Sequence, residues 1–243
     1  MTQPIELFFW PTPNGRKISI ALEEMSLPYV VRPVNISKGA QCAPDFLKIS
    51  PNNRLPPIID PGGPGGAPLS LFESGAILQY LARKSGRFGG ADPREQAEVE
   101  SWLMWQMANF GPVMGHGNHF RNYAPKLESD PVKLRYGVER FTNEANRLYG
   151  VLDRNLAQRE FIAGALSIAD FAVWPWAVLA RIVGQTLDDF PHVMRWAAAC
   201  GERPGFVRGK AVGEELKGAA LTDDGKDAEA ARKILFGQTA RRD

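Results

Sequence analysis

The feature that most constrains this chain is a change of hydrophobic period across Pro11-Thr12-Pro13-Asn14. Before it, Ile5, Leu7 and Phe9 alternate with Glu6 and Phe8, the two-residue repeat of a strand. After it, Ile18, Ala21, Leu22 and Met25 recur at i, i+3, i+4 and i+7, one face of a helix. Pro11 and Pro13 each bias the preceding residue toward extended backbone and break the strand. The stretch Phe8-Phe9-Trp10-Pro11-Thr12-Pro13-Asn14-Gly15-Arg16-Lys17 therefore reads as strand, short polar loop and helix. Thr12 and Asn14 fall at the helix N-terminus, where unpaired N–H groups and the positive end of the dipole attract anions, thiolates included. The same placement also suits a purely structural role, Asn14 as N-cap and Thr12 as a loop residue.

Strands and helices continue to alternate through the first eighty or so residues. Tyr29 to Val34, Pro57 to Asp60 and Leu69 to Leu71 read as strands, and Pro44 to Ile49 as a short helix. Pro61 to Gly66 is a turn, and Glu73 to Lys84 is a helix with Ile77, Leu78 and Leu81 as its buried stripe. This order, βαβ then ββα, predicts a small mixed sheet with helices packed on it. Ser85 to Pro93 reads as a linker, and beyond it strand signals all but vanish. Arg94 to Asn109 and Val132 to Gln158 read as helices, while Pro112 to Asn122, rich in Gly, His and Asn, reads as irregular. Ser167-Ile168-Ala169-Asp170 resembles a capping box, with Asp in place of Glu, opening a Phe171 to Val183 helix. Pro191 to Glu202 is a further helix, and the charged segment from Gly213 is expected to be partly disordered or draped on the surface. The expected organisation is an α/β domain over residues 1–86, an all-α domain over 94–212 and a C-terminal tail over 213–243.

Composition narrows the function classes. A chain of 243 residues with net charge +2 gives no ground for a nucleic-acid or anionic-membrane partner. The longest apolar run, Phe171 to Ala180, is too short for a bilayer and contains Pro175. The two cysteines, Cys42 and Cys200, form no CxxC, metal or disulfide pattern, and the three histidines, His116, His119 and His192, form no HxH-type site. No metal is expected. No secretory signal is visible, so a reducing cytoplasm is the default compartment.

Two further polar clusters stand at element boundaries. Ser50-Pro51-Asn52-Asn53-Arg54-Leu55-Pro56-Pro57 precedes the third strand, where a cis proline can turn the preceding residue's backbone outward as a docking edge. Glu73 and Ser74 open the next helix, where a carboxylate can hold an ammonium while a hydroxyl and helix N–H groups hold a carboxylate. That suits one end of an amino acid, although Glu and Ser are favoured at helix starts in any case.

With these motifs, together with Leu-Phe-Glu-Ser-Gly-Ala-Ile at 71–77 and Ser-Ile-Ala-Asp-Phe at 167–171, the chain resembles a cytosolic glutathione transferase over about Ile5 to Phe206. The Thr-Pro-Asn-Gly motif, Lys38-Gly39-Ala40-Gln41 and the Trp102 to His119 stretch are similar to the bacterial nu class, glutathione-dependent disulfide-bond reductases related to a fungal nitrogen regulator. The resemblance implies a thioredoxin-like domain followed by an all-helical one. It implies that Thr12 faces the glutathione sulfur with Asn14 beside it, that Gln41 and Leu55 hold the glycine end and cysteinyl backbone, and that Glu73 and Ser74 hold the γ-glutamyl end. Asn53 and Pro56 belong to the same implied set, and Arg140 would reach glutathione from the partner of a homodimer. Cys42 departs from the pattern, standing where relatives more often carry an aromatic. The loop Thr12-Pro13-Asn14-Gly15 has no cysteine, so the reacting thiolate would come from glutathione itself, stabilised by Thr12 and Asn14. Phe110, Met114, His116, His119 and Phe120 are expected to line the second-substrate pocket, the rival reading being ordinary core and loop residues. The implied chemistry is reduction of a small disulfide, with peroxide reduction, conjugation to electrophiles or non-catalytic glutathione binding as alternatives.

Overall fold

The computed structural model describes residues 3–216, 218 and 221–239. β1 (Ile5–Phe9), α1 (Pro13–Met25) and β2 (Tyr29–Pro33) form a unit whose two strands run parallel. Ile5, Leu7 and Phe9 are buried while Glu6 and Phe8 are half-exposed, as the two-residue repeat predicts. The short helix α2 (Pro44–Ile49) leads to β3 (Ile58–Asp60) and β4 (Leu69–Leu71), paired antiparallel, and then to α3 (Ser74–Ser85). β3 also pairs antiparallel with β1, giving a four-stranded sheet in the order β2-β1-β3-β4. The Leu55-Pro56 bond ahead of β3 is cis.

The rest of the described chain is helical: α4 (Pro93–Trp105), α5 (Gly111–Asn118), α6 (Pro131–Leu156), α7 (Ile168–Ala177), α8 (Pro191–Gly201), α9 (Pro204–Ala211) and α10 (Lys226–Phe236). α1 is the link between the sheet and the helices, packed on α3, α7 and α9 at once. Its approach to α9 is close enough to require glycine: a Cβ on Gly209 would stand 2.5 Å from the Ile20 Cα. Ser19 Oγ donates to the Gly209 carbonyl at 2.6 Å across the same contact. The capping box forms as read, with Asp170 accepting from the Ser167 N–H.

Three expectations need correction. Residues 112–122 are helical, not irregular: α5 is flanked by π-helical turns at Gln106–Phe110 and His119–Tyr123. The glycines that weaken its local signal are there for packing, since a Cβ on Gly117 would lie 3.0 Å from Val183 Cγ1. The helix expected over Phe171 to Val183 stops at Ala177 and resumes as a 3₁₀ turn at Ala180–Val183. Pro175 sits inside the helix near its end, where it cannot donate to the Phe171 carbonyl. Lastly, the tail, expected to be partly disordered or draped on the surface, carries a helix. α10 buries Ala228, Ala231 and Arg232, and lies against the turn at Ile36–Lys38. Residues 217, 219–220 and 240–243 of that tail lie outside the described residues. Among the described residues no helix is long and apolar enough to cross a membrane.

Candidate active site

The head of α1 is built by Thr12, whose extended backbone (φ −104°, ψ 160°) ends the loop and whose Oγ1 accepts the Gly15 N–H at 3.2 Å. Pro13 at the first helical position needs no hydrogen bond of its own. Capping uses only the acceptor side of the Thr12 hydroxyl and leaves its proton available to donate. Asn14 accepts from the Trp176 indole N–H through Oδ1 at 3.0 Å. Because an indole only donates, this bond fixes the amide so that Nδ2 remains a donor. Trp176 was not foreseen as a site residue. It acts from α7, 162 positions away, and nothing near it in sequence signals the contact.

Asn14 lines two adjoining cavities, of about 660 and 630 Å³. Together with Leu55, Tyr123 and Trp176, it makes them one cleft. The larger contains Lys17, Pro56, Glu73, Ser74 and Gln106 at one side and His116 and His119 at another. The smaller contains Thr12, Gln41, Asn53 and Leu55. Gln41 is only 2% exposed, yet neither its amide nitrogen nor its amide oxygen has a partner among the described residues. A buried amide left unpaired costs about 1–3 kcal/mol, and a polar ligand in the cleft would recover it. Glu73 stands at the head of α3 with a left-handed backbone (φ 68°, ψ 112°), a conformation that strains a non-glycine residue by about 1–3 kcal/mol. Asn52 Nδ2 donates to Glu73 Oε1 at 3.4 Å.

Lys17 was not foreseen as a site residue either. It is 1% exposed, and its Nζ donates to Gln106 Oε1 at 2.8 Å, Ser74 Oγ at 3.4 Å and Met107 Sδ at 3.6 Å. Burial pulls its ammonium down to about 7, with Glu73 opposing weakly. Its sequence signal is a lysine three residues after Asn14 and four before Ala21, on the stripe that should be apolar.

The side chains expected around a second substrate do not all face the cleft. Phe110 and Met114 are buried in the helical core, 0% and 1% exposed, with the Phe110 ring against Trp105 and Tyr149. The π turn at Gln106–Phe110 adds a residue to the helical repeat, and Gln106 and Met107 line the cleft instead. Phe120 stacks on Phe141 and lines a separate cavity of about 590 Å³ with Arg121 and Glu139. His116 and His119 do line the cleft, and burial lowers the His119 imidazole, assisted by His116. The wall beside them comes from α10, where Phe236 meets His119 at 4.7 Å and stacks on Tyr123 at 5.5 Å between ring centres. Gln238 follows, accepting from Asn53 Nδ2 and Arg54 Nη1, each at 3.2 Å. Arg140 lies on α6, 3.5 Å from Glu144, and does not line this cleft.

Neither cysteine belongs to the loop. Cys200 is buried, and desolvation pushes its thiol up. Cys42 is half-buried, 3.9 Å from Asn53 Nδ2, in a cavity with Lys38 and Gln238. Among the described residues no three His, Cys, Asp or Glu side chains cluster as a metal set.

Comparison with known proteins matches the N-terminal domain model of glutathione S-transferases to residues 3–83 and the C-terminal domain model to residues 135–199. The chain is 42% identical over 226 residues to the disulfide-bond oxidoreductase YfcG of Escherichia coli, covering 92% of this chain and all of that protein. Among solved structures it is similar to a glutathione transferase from Pseudomonas putida with one glutathione disulfide bound per subunit (TM-score 0.80, 42% identity, 86% of this chain and 91% of that one). It is also similar to one from Burkholderia graminis with two glutathione molecules bound per subunit (TM-score 0.81, 41% identity, 88% and 90% covered).

Proposed function

This chain is a member of the glutathione transferase family, and on that premise we propose that it is a glutathione-dependent disulfide-bond oxidoreductase of the nu type. The observation that carries this reading is the cleft at the head of α1. A hydroxyl and a fixed amide donor meet there without a cysteine, between Ser74 on one side and the unpaired Gln41 amide on the other. Glutathione is an elongated tripeptide with charged ends and a central thiol, and it suits this order of groups. Gln41 and Leu55, with Asn53 and Pro56, take the glycine end and cysteinyl backbone, and Glu73 and Ser74 take the γ-glutamyl end.

Thr12 Oγ–H and Asn14 donate to the glutathione sulfur and lower its pKa, each unit being worth about 1.4 kcal/mol. The thiolate attacks one sulfur of a substrate disulfide. A glutathione–substrate mixed disulfide forms, and the other substrate sulfur leaves as a thiolate that takes a proton. A second glutathione thiolate attacks the mixed disulfide at the glutathione sulfur, giving glutathione disulfide and the second substrate thiol. The bound species reported for the Pseudomonas and Burkholderia structures, glutathione disulfide and two glutathiones, suit the end and start of this sequence. Steady-state assays with glutathione plus a model disulfide, a hydroperoxide or an aryl halide test the assignment. The highest kcat/KM is expected for the disulfide, and turnover of none of them would leave a binding protein instead.

Glu73→Ala is expected to weaken glutathione binding about tenfold, or about 1.4 kcal/mol, by calorimetry. Unchanged affinity would remove Glu73 from the site. Assembly is also open to test. Val132 and Tyr136 on α6 are 70% and 76% exposed, and Arg140 follows them at the same four-residue spacing on one face. We place that face in a homodimer interface from which Arg140 completes the partner's cleft. Light scattering at micromolar concentration should give twice the chain mass, and Tyr136→Glu should halve it. A monomeric wild type would sink the arrangement.

A further inference from the structure

We propose that Lys17 and Gln106 form a buried receptor for the ligand's terminal carboxylate behind Ser74, and that Lys17 takes up a proton when this carboxylate binds. The inference rests on the reading of Ser74 as the γ-glutamyl anchor and adds a partner and a proton to it.

Lys17 is a lysine with almost no exposure and no carboxylate within ion-pair distance among the described residues. Its three acceptors, Gln106 Oε1, Ser74 Oγ and Met107 Sδ, are all neutral. A buried ammonium without a counter-charge is costly, and the usual response is loss of the proton. Burial accordingly brings this lysine to about 7. Gln106 adds a second observation. Its Oε1 is committed to Lys17, whereas its Nε2, on a residue with no exposure, has no partner among the described residues. So the wall of the larger cavity holds an unpaired amide donor on Gln106 and an uncompensated amine that lies between the Gln106 amide and the Ser74 hydroxyl. An anion with two acceptor oxygens is the chemistry that satisfies this set, and a carboxylate docked on Ser74 stands one hydrogen bond from Lys17 Nζ.

The charges around Lys17 leave this role to the ligand. α3 contributes Glu73 at its head, the one charge that acts on Lys17, and farther along Tyr80 and Lys84, both committed to Asp60, and Arg83 on the exposed side. α7 contributes Asp170, held by Ser167 and Trp196. α9 contributes Arg208, paired with Glu23, and Lys210, while Arg203 just before it pairs with Glu24. From the cavity side come Arg54, His116 and His119.

The sign of the coupling follows. Near pH 6 Lys17 is charged with or without ligand, so no proton moves. At pH 8 it is mostly neutral in the empty cleft, and an arriving carboxylate favours its charged form, so binding draws a proton from solution. Affinity must therefore fall as pH rises through 7 toward 9.

The test is calorimetry with S-methylglutathione, which has no thiol proton to release. Titrations at pH 8 in buffers of different ionisation enthalpy count the protons. Wild type should take up between about half and one proton per site, and its affinity should drop about tenfold between pH 7 and 9. Lys17→Met, checked for folding by thermal melt, should bind about tenfold or more weakly at pH 7, take up far less, and show a flatter pH profile. Wild-type binding without uptake, or equal uptake in Lys17→Met through the histidines or the ligand amine, overturns the inference and leaves the glutathione reading standing. Absence of wild-type binding at millimolar ligand overturns both.

Discussion

Thr12→Ala is expected to lower kcat/KM for a model disulfide about ten- to hundredfold, and Asn14→Ala to do the same or more. On the proposed reading each replacement removes one donor to a charged sulfur, a loss of roughly 1.5–3 kcal/mol. The geometry separates this effect from simple damage to α1. Thr12 also caps the helix through Gly15, so Thr12→Ala should cost about 1 kcal/mol of stability as well. Thr12→Ser retains both the cap and the donor and should stay near wild type in both measurements. Asn14→Ala leaves the Trp176 indole N–H without its acceptor, so some loss of order at α7 is expected alongside the lost rate. The double replacement Cys42→Ser with Cys200→Ala should retain most of the activity, since neither thiol lies in the loop and that of Cys200 is held protonated in the core. A dead cysteine-free protein together with a fully active Thr12→Ala would mean that the enzyme uses its own thiol.

Asp170→Ala is expected to lower the unfolding free energy by about 3–5 kcal/mol, the largest stability effect of any single replacement considered. The Asp170 carboxylate has no exposure and accepts four bonds: from Ile162 N at 3.0 Å, Ser167 N at 2.8 Å, Ser167 Oγ at 3.1 Å and Trp196 Nε1 at 2.9 Å. Burial pushes it up to about 6 while these donors pull it down, so at pH 7 it stays ionised. Alanine would strand four buried donors at the start of α7, the helix that carries Trp176 to Asn14. Urea denaturation followed by tryptophan fluorescence, at fixed protein concentration, measures the loss. Asp170→Asn keeps one acceptor oxygen and should lose roughly half as much. A loss below about 1 kcal/mol for the alanine variant would mean that the capping box matters little to the fold.

What was legible in the sequence is what local chemistry controls. The change of period at Pro11–Asn14, the Ser167–Asp170 box, the strands at Ile58–Asp60 and Leu69–Leu71 and the long α6 each follow from residues within a turn or two of one another. The motif resemblance then pointed to a cleft at the head of α1, and Thr12, Asn14, Gln41, Leu55 and Glu73 all line it or stand at its edge.

Tertiary structure alone decided which of the remaining side chains turn toward that cleft. Phe110 goes to the core and Gln106 to the cavity because a π turn inserts a residue into the helical repeat, and the surrounding packing selects that turn. Lys17 occupies an apolar stripe position because its partner Gln106 arrives from 89 residues away, and Trp176 reaches Asn14 across 162. α10 carries a weak pattern because its buried face is Ala228, Ala231 and Arg232, and that face has meaning only against Ile36–Lys38. Period, caps and turns are short-range and can be read along the chain. A buried polar pair is stable only when both members meet, so its position depends on contacts that form when the whole chain has folded.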